Sequence, residues 1–195
     1  MGVQEVEADS KRQARPISHY PHFSQLNVVR RRFEESTLIG KVVSIYIARS
    51  AGGQLQPVDT AELQSGKGIV GDRYFNGKGT FSEQLEGSAD WEVTLIESEE
   101  IQNYNDSQGT EWPDGAFRRN IVTRDIRLNE LVGLEFSVGA ALLEGVRLCE
   151  PCAHLGSLLG PAVVRGMAHR AGLRARILVS GEVRSEDAVE IARAV

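Results

Sequence analysis

From Thr37 onward the chain alternates runs of apolar, often β-branched residues with short glycine-rich or charged interruptions. Leu38, Ile39, Val42, Val43, Ile45, Tyr46 and Ile47 form a first run of strand type. Gly52-Gly53 supplies a turn, and Gln56 to Leu63 alternates as a second strand expected to pair back as a hairpin. A glycine-rich stretch follows, and then Trp91 to Glu97 reads as a buried strand. Ser98 is placed to cap a helix over Glu99 to Asn105, ended by Asn105, Asp106 and Gly109. Further strands are predicted at Ile121–Thr123, Leu134–Val138 and Ala141–Leu148, with a last pair over Ala175–Val183 broken at Gly181. Ala153–Leu159 and Val163–His169 read as short helices. Many short strands, few helices and no strand–helix alternation predict a mainly β fold, a β-barrel with a few short helices, rather than a parallel α/β sheet.

Residues 1–36 carry no comparable periodicity. They are polar, contain Pro16 and Pro21, and are expected to form a flexible extension ahead of a single domain at 37–195. Their six basic and five acidic residues leave the extension near neutral, so Arg30 to Arg32 reads as a solvated charge run before it reads as a partner contact. The whole chain of 195 residues carries a net charge of -5. That balance argues against nucleic acid and against a polybasic membrane binder, while leaving room for a basic pocket that takes a small anion. A chain of this length buries about 70% of its unfolded surface, enough for a core that needs no disulfide or metal staple. No segment approaches the roughly 20 apolar residues that cross a bilayer, and the first residues lack the apolar core of a secretory signal, so a cytoplasmic protein is expected.

Three clusters carry candidate chemistry. In Gly68-Ile69-Val70-Gly71-Asp72-Arg73-Tyr74-Phe75, glycines permit positive φ and close approach, so backbone N–H groups can form an anion nest beside Arg73. The same residues also suit a tight turn in which Asp72 and Arg73 hold neighbouring strands together. Phe117-Arg118-Arg119-Asn120 precedes an apolar strand; its guanidinium groups and amide suit a phosphate-bearing heterocycle, or else surface salt bridges. In an extended segment, one of the two arginines would face solvent. Cys149-Glu150-Pro151-Cys152-Ala153-His154 joins a strand to a helix. A thiol at a helix start meets unpaired N–H groups that favour a thiolate, and Cys152 is better placed for this than Cys149. Such a sulfur can attack, carry a persulfide or ligate a soft metal. Zinc would need two more ligands than the two cysteines, and the folded part offers only His154 and His169, with no second Cys-x-x-Cys. A thioredoxin-like dithiol would lie early in a βαβ pattern, and two inert buried thiols are the plain alternative.

Taken in order, GIVGDRYF, VTLIESEEI, FRRNIVT, PCAHL and RARILVSGEV resemble the MOSC domain, named for the C-terminal domain of molybdenum cofactor sulfurase, over about Gly40 to Ile191. The resemblance implies a barrel of the kind also found in pyruvate kinase. It also implies a single functional cysteine, matching Cys152, that ligates molybdenum in a bound molybdopterin cofactor or carries sulfur as a persulfide. Gly71, Asp72 and Arg73 in the glycine-rich loop, with Arg118 and Asn120, match positions expected to contact the cofactor. Arg119 departs from the glutamate that many small members carry beside the asparagine. With no room for an aminotransferase-like domain, pyridoxal phosphate is not expected in this chain.

The resemblance leaves three roles open. One is reduction of N-hydroxylated compounds with electrons from a separate reductase. A second is a persulfide carrier loaded by a cysteine desulfurase, with Cys149 as a resolving thiol. The third is binding and delivery of the cofactor without turnover.

Overall fold

The structure, a computed structural model, describes residues 39–83, 88 and 90–191; the extension at 1–36 lies outside the described residues. Its centre is a closed barrel of seven strands. β1 (Ile39–Ile47) has one edge on β6 (Ile121–Arg124), while its other edge takes β11 (Ala188–Ile191) at the start and β2 (Gln56–Val58) at the end. From β11 the wall continues through β7 (Glu135–Val138), β8 (Ala141–Leu148), β9 (Leu173–Val179) and β5 (Val93–Glu97) back to β6. Outside the barrel, β3 (Thr60–Gln64), β4 (Gly68–Ile69) and β10 (Gly181–Arg184) form a small three-stranded sheet.

Alternation along each strand divides the apolar residues between two cores. Val93 and Leu95 of β5 point inward with Val42, Phe136, Leu143 and Leu173, so side chains fill the barrel lumen. Ile96 of β5 and Val122 of β6 point outward into a second core. There they meet α1 (Ser98–Gln108), α2 (Ala153–Leu159) and α3 (Ala162–Gly166), through Ile101, Tyr104, Leu155 and Val163. Each such side chain, fully buried, contributes about 1.5–3 kcal/mol. Because the lumen is packed, a ligand must bind on the outer wall. Among the described residues, no helix is long and apolar enough to cross a membrane.

Several expectations need correction. Gln56–Leu63 is not one strand: β2 pairs with β1 as the hairpin requires, but after Asp59 the chain turns away and β3 pairs with β4 and β10. Strand–helix alternation is present once, because β5 and β6 are parallel neighbours and α1 is their crossover. Ser98 does not cap α1. Glu97 holds that position without a side-chain cap bond, since its carboxylate is buried and accepts from Leu128 N at 3.0 Å. The helix also runs past Asn105 to Gly109, which is left-handed at φ 63. Asn105 is buried instead, its side chain pinning the returning loop through Trp112 N, Trp112 O and Thr110. The last helix is shorter than expected, ending at Gly166. The barrel-closing strand β11 has no counterpart among the strands expected from the sequence.

Burial raises the pKa of Glu97 above its ordinary value, opposed by the Leu128 N–H bond and the Arg127 charge. A raised folded pKa means that the folded state binds more protons, so this group's contribution to stability falls as pH rises from the ordinary glutamate range through the folded value. Glu97→Gln is therefore expected to gain in melting temperature relative to the native chain as pH rises from about 4 to 7. Parallel temperature–pH curves for the two proteins would refute this.

Candidate functional site: a cleft on the outer wall

The cysteine segment sits where β8 leaves the barrel. Cys149, at the strand end, is buried and donates its N–H to Gly172 O at 2.7 Å. Only glycine fits at that position: Gly172 has φ +105, and a Cβ there would lie 1.9 Å from Leu95 O of β5. Glu150 and Pro151 then carry the chain outward to Cys152, which is exposed and occupies the N-cap position of α2. Glu150 meets His169 through Nδ1 at 2.7 Å and the backbone N–H at 2.9 Å.

Arg118 adopts φ 60, so the segment before β6 is not extended. This corrects the expectation that one arginine faces solvent: the left-handed turn lets Arg118 and Arg119 both turn inward. Arg118 Nη1 donates to Gly53 O at 3.0 Å. Burial, and after it the positive charge of Arg73, lower the pKa of Arg118, while Tyr74, Asp72 and Cys152 act to raise it. Arg119 is spent on backbone, donating to Ala171 O, Phe117 O and Cys149 O. It thereby ties three segments behind the cleft. A lysine cannot span three carbonyls with one ammonium, so Arg119→Lys is expected to cost about 2–3 kcal/mol in urea unfolding; an unchanged midpoint would refute the clamp.

Asn120 is buried, and its amide is satisfied within the fold. Its Nδ2 donates to Tyr46 O at 3.2 Å and, at 3.5 Å, to Asp72 Oδ1, while its Oδ1 accepts from Thr94 Oγ1 at 2.9 Å. Asp72 is buried too, accepting from Ala48 N, Tyr74 N and Arg73 Nη1. Gly71, at φ +84, shapes the loop that delivers them. Arg73 is held by Asp72 at 3.1 Å and lies over the Tyr74 ring at 4.9 Å. Cys152, Arg73 and Arg118 thus line one cleft, whereas Gly71, Asp72 and Asn120 stand outside its lining.

The cleft encloses about 340 Å³, within the range of small-ligand sites. Five arginines line it against the single carboxylate of Glu150, which suits an anion. Arg147 and Trp91 belong to none of the motifs read from the sequence, and Arg174 and Thr94, although inside RARILVSGEV and VTLIESEEI, are not among the site residues expected from it. They come together only through strand register, with Arg174 opposite Thr94 on β5 and opposite Arg147 on β8. The signal available was an arginine at an outward strand position in Leu173-Arg174-Ala175. His154 also lines the cleft, and its Nε2 is buried without a partner among the described residues.

The family model for the MOSC domain matches residues 82–190, more than half of the chain. The chain belongs to the MOSC domain family, a family associated with the molybdenum cofactor. The Arg73 loop lies ahead of the matched segment. Among solved structures, the YuaD protein from Bacillus subtilis is similar at 17% identity and TM-score 0.69, covering 82% of this chain and 99% of that one. YiiM from Geobacillus stearothermophilus is 17% identical with TM-score 0.62, over 79% of this chain and 75% of that one. YiiM from Escherichia coli is 16% identical with TM-score 0.56, over 80% and 71%. At these identities the likeness establishes a shared fold. No curated protein matches the chain.

Proposed function

We propose that the chain binds molybdenum cofactor in this cleft, with Cys152 as the sulfur ligand of the metal and Arg73 and Arg118 as donors to the cofactor's phosphate. The observation that carries this reading is an exposed thiol on the rim of a cleft lined by these two guanidinium groups. A fully built protein cage would argue for a bare ion, but no group of three or more His, Cys, Asp or Glu gathers among the described residues. A single thiolate suits a soft metal that arrives already coordinated. Asp72 and Asn120 serve as positioning residues, fixing Arg73 and the loop, and Gly71 gives the loop its turn.

When bound, molybdenum supplies two-electron oxygen-transfer chemistry. The chain's part is to orient and to neutralise. Arg73 and Arg118 hold the anion with planar, bidentate donors, while Cys152 fixes the metal end at the rim. The overall reaction would convert an N-hydroxylated amine, two electrons and two protons into the amine and water, the electrons coming from a separate flavin or iron–sulfur reductase.

The exposure of Cys152 favours one second reading, a persulfide carrier. Its thiolate would attack the terminal sulfur of a cysteine desulfurase persulfide, the donor's thiolate would leave, and the terminal sulfur would move to Cys152.

Metal and pterin analysis tests the proposal, on protein purified without oxygen from a host that makes the cofactor. Near-stoichiometric molybdenum and pterin are expected. Their absence, with failed reconstitution of the apo protein, would overturn cofactor binding. A gain of one sulfur atom on the intact protein after incubation with a desulfurase and cysteine would then favour the carrier.

A further inference from the structure

Apart from Arg119, which is spent on backbone carbonyls, the arginines of the cleft fall into two groups, one beside Asp72 and one beside Asp90. Arg73 is paired with Asp72, and Arg118 is desolvated beside Arg73, Tyr74 and Cys152. On the strand wall, Arg147 Nε is paired with the carboxylate of Asp90, and Arg174 Nη1 donates to Asp90 O at 3.2 Å. Asp90 is itself buried, and it feels the charges of both arginines. One carboxylate against two guanidinium groups leaves this wall with a surplus positive charge. Arg174 has no carboxylate within ion-pair distance among the described residues, in contrast to Arg176 on the same strand, which pairs with Glu144. Both arginines of the wall line the cleft, as does Trp91, next in the chain to Asp90.

From this we infer that Arg174, backed by Arg147 and Trp91, is a second anion site of the cleft, one that takes an organic oxyanion, carboxylate or phosphate, attached to a flat ring. One buried residue, Asp90, orients both arginines, Arg147 through its carboxylate and Arg174 through its backbone carbonyl, and the planar fork of each suits a two-oxygen anion. An indole beside such donors offers a stacking surface to a heterocycle. This deepens the proposed function and rests on it: if Arg73 and Arg118 hold the cofactor's phosphate, Arg174 is left for another anion. That anion belongs either to a nucleotide extension of the cofactor or to the reacting substrate.

The test is a titration of ¹⁵N-labelled apo protein, following the arginine Nε–H and indole signals, first with inorganic phosphate and then with a nucleoside 5′-monophosphate. The expected result is two saturable steps, one moving Arg118 and one moving Arg174 together with its neighbour Arg147; in Arg174→Gln the second step, read there on Arg147, is abolished while the first remains. Arg174→Lys should retain a weakened response, showing that charge and not misfolding is read. If the nucleotide binds at the Arg174 step about tenfold more tightly than phosphate and shifts the Trp91 signal, the ring is recognised and a nucleotide-bearing ligand is favoured. Equal binding of the two, with Trp91 unmoved, would overturn recognition of the ring. An Arg174 signal that stays still, or that moves with the Arg118 midpoint and disappears in Arg118→Gln, would overturn the second site. Because the apo protein is read, that failure is distinct from a lack of molybdenum in the purified protein.

Discussion

A Cys152→Ser protein is expected to fold normally and to carry molybdenum only at background level. The substituted side chain is exposed and makes no cap bond at the start of α2. A serine there is a preferred N-cap residue, so the fold loses nothing by the change and the melting temperature should not fall. What disappears is the soft sulfur, since a hydroxyl is a poor replacement for a thiolate on a soft metal. Pterin content should fall less than metal content, because Arg73 and Arg118 remain. Cys149→Ser is expected to behave in the opposite sense. Cys149 is 3% exposed, so a hydroxyl there is buried at a cost of about 1–3 kcal/mol, yet the folded protein should keep its metal. Elemental analysis and thermal unfolding of the two variants separate these effects. Molybdenum retained in Cys152→Ser would remove Cys152 from the metal site, and molybdenum lost from well-folded Cys149→Ser would place Cys149 in it.

The contrast between the two cysteines shows where sequence reasoning is strong. Residue type and chain order, read together with the family resemblance, mark Cys152, Arg73 and Arg118 as candidates, from a Pro-Cys at a strand end, an arginine in a glycine-rich loop and an Arg-Arg-Asn run before a strand. The long strands are equally plain: β1, β5 and β8 are runs of β-branched and aliphatic residues whose inward positions are buried. β11 is not, because Ala188–Ile191 is four residues with a glutamate among them, and it becomes a strand by pairing with both β1 and β7. The break at Asp59 is hidden for a related reason. Val58 is only one residue out of phase with Ala61 and Leu63, a slip short enough to pass within a single strand, and the separate partners of β2 and β3 reveal two.

Side-chain roles are harder to read than positions. Asn120 and Asp72 have the polarity of ligand-binding residues, but their hydrogen bonds are made to Thr94, Tyr46, Ala48 and Tyr74. Arg119, although between two candidate contacts, is a structural clamp. Arg174 and Arg147, which look like solvent-facing strand residues, line the cleft. In each case the deciding fact is a contact across the barrel wall that no spacing in the chain encodes. A positive φ at Arg118 is the single local feature that reverses an expectation about facing, since alternation holds only while the backbone is extended.

Asp72→Ala is expected to destabilise the fold by about 3–5 kcal/mol, more than the loss of Arg119's clamp or a hydroxyl buried at Cys149. Asp72 is 2% exposed and Arg73 is 6% exposed, so the substitution strands a guanidinium in a buried position. It also frees the backbone N–H groups of Ala48 and Tyr74, which Asp72 accepts at 3.0 and 3.1 Å. The converse change should be milder. Arg73→Leu leaves the Asp72 carboxylate with both backbone donors and the Asn120 amide, so its charge stays solvated by the protein. The asymmetry distinguishes a carboxylate that organises the loop from a simple ion pair, for which either deletion would cost the same. Asp72→Asn should fall between, keeping an acceptor while losing the charge that faces Arg73. Urea unfolding of the three variants gives the ranking. If Asp72→Ala costs less than about 1 kcal/mol, or if Arg73→Leu costs more than Asp72→Ala, the carboxylate does not hold the loop. The position of Arg73 in the cleft would then need another cause.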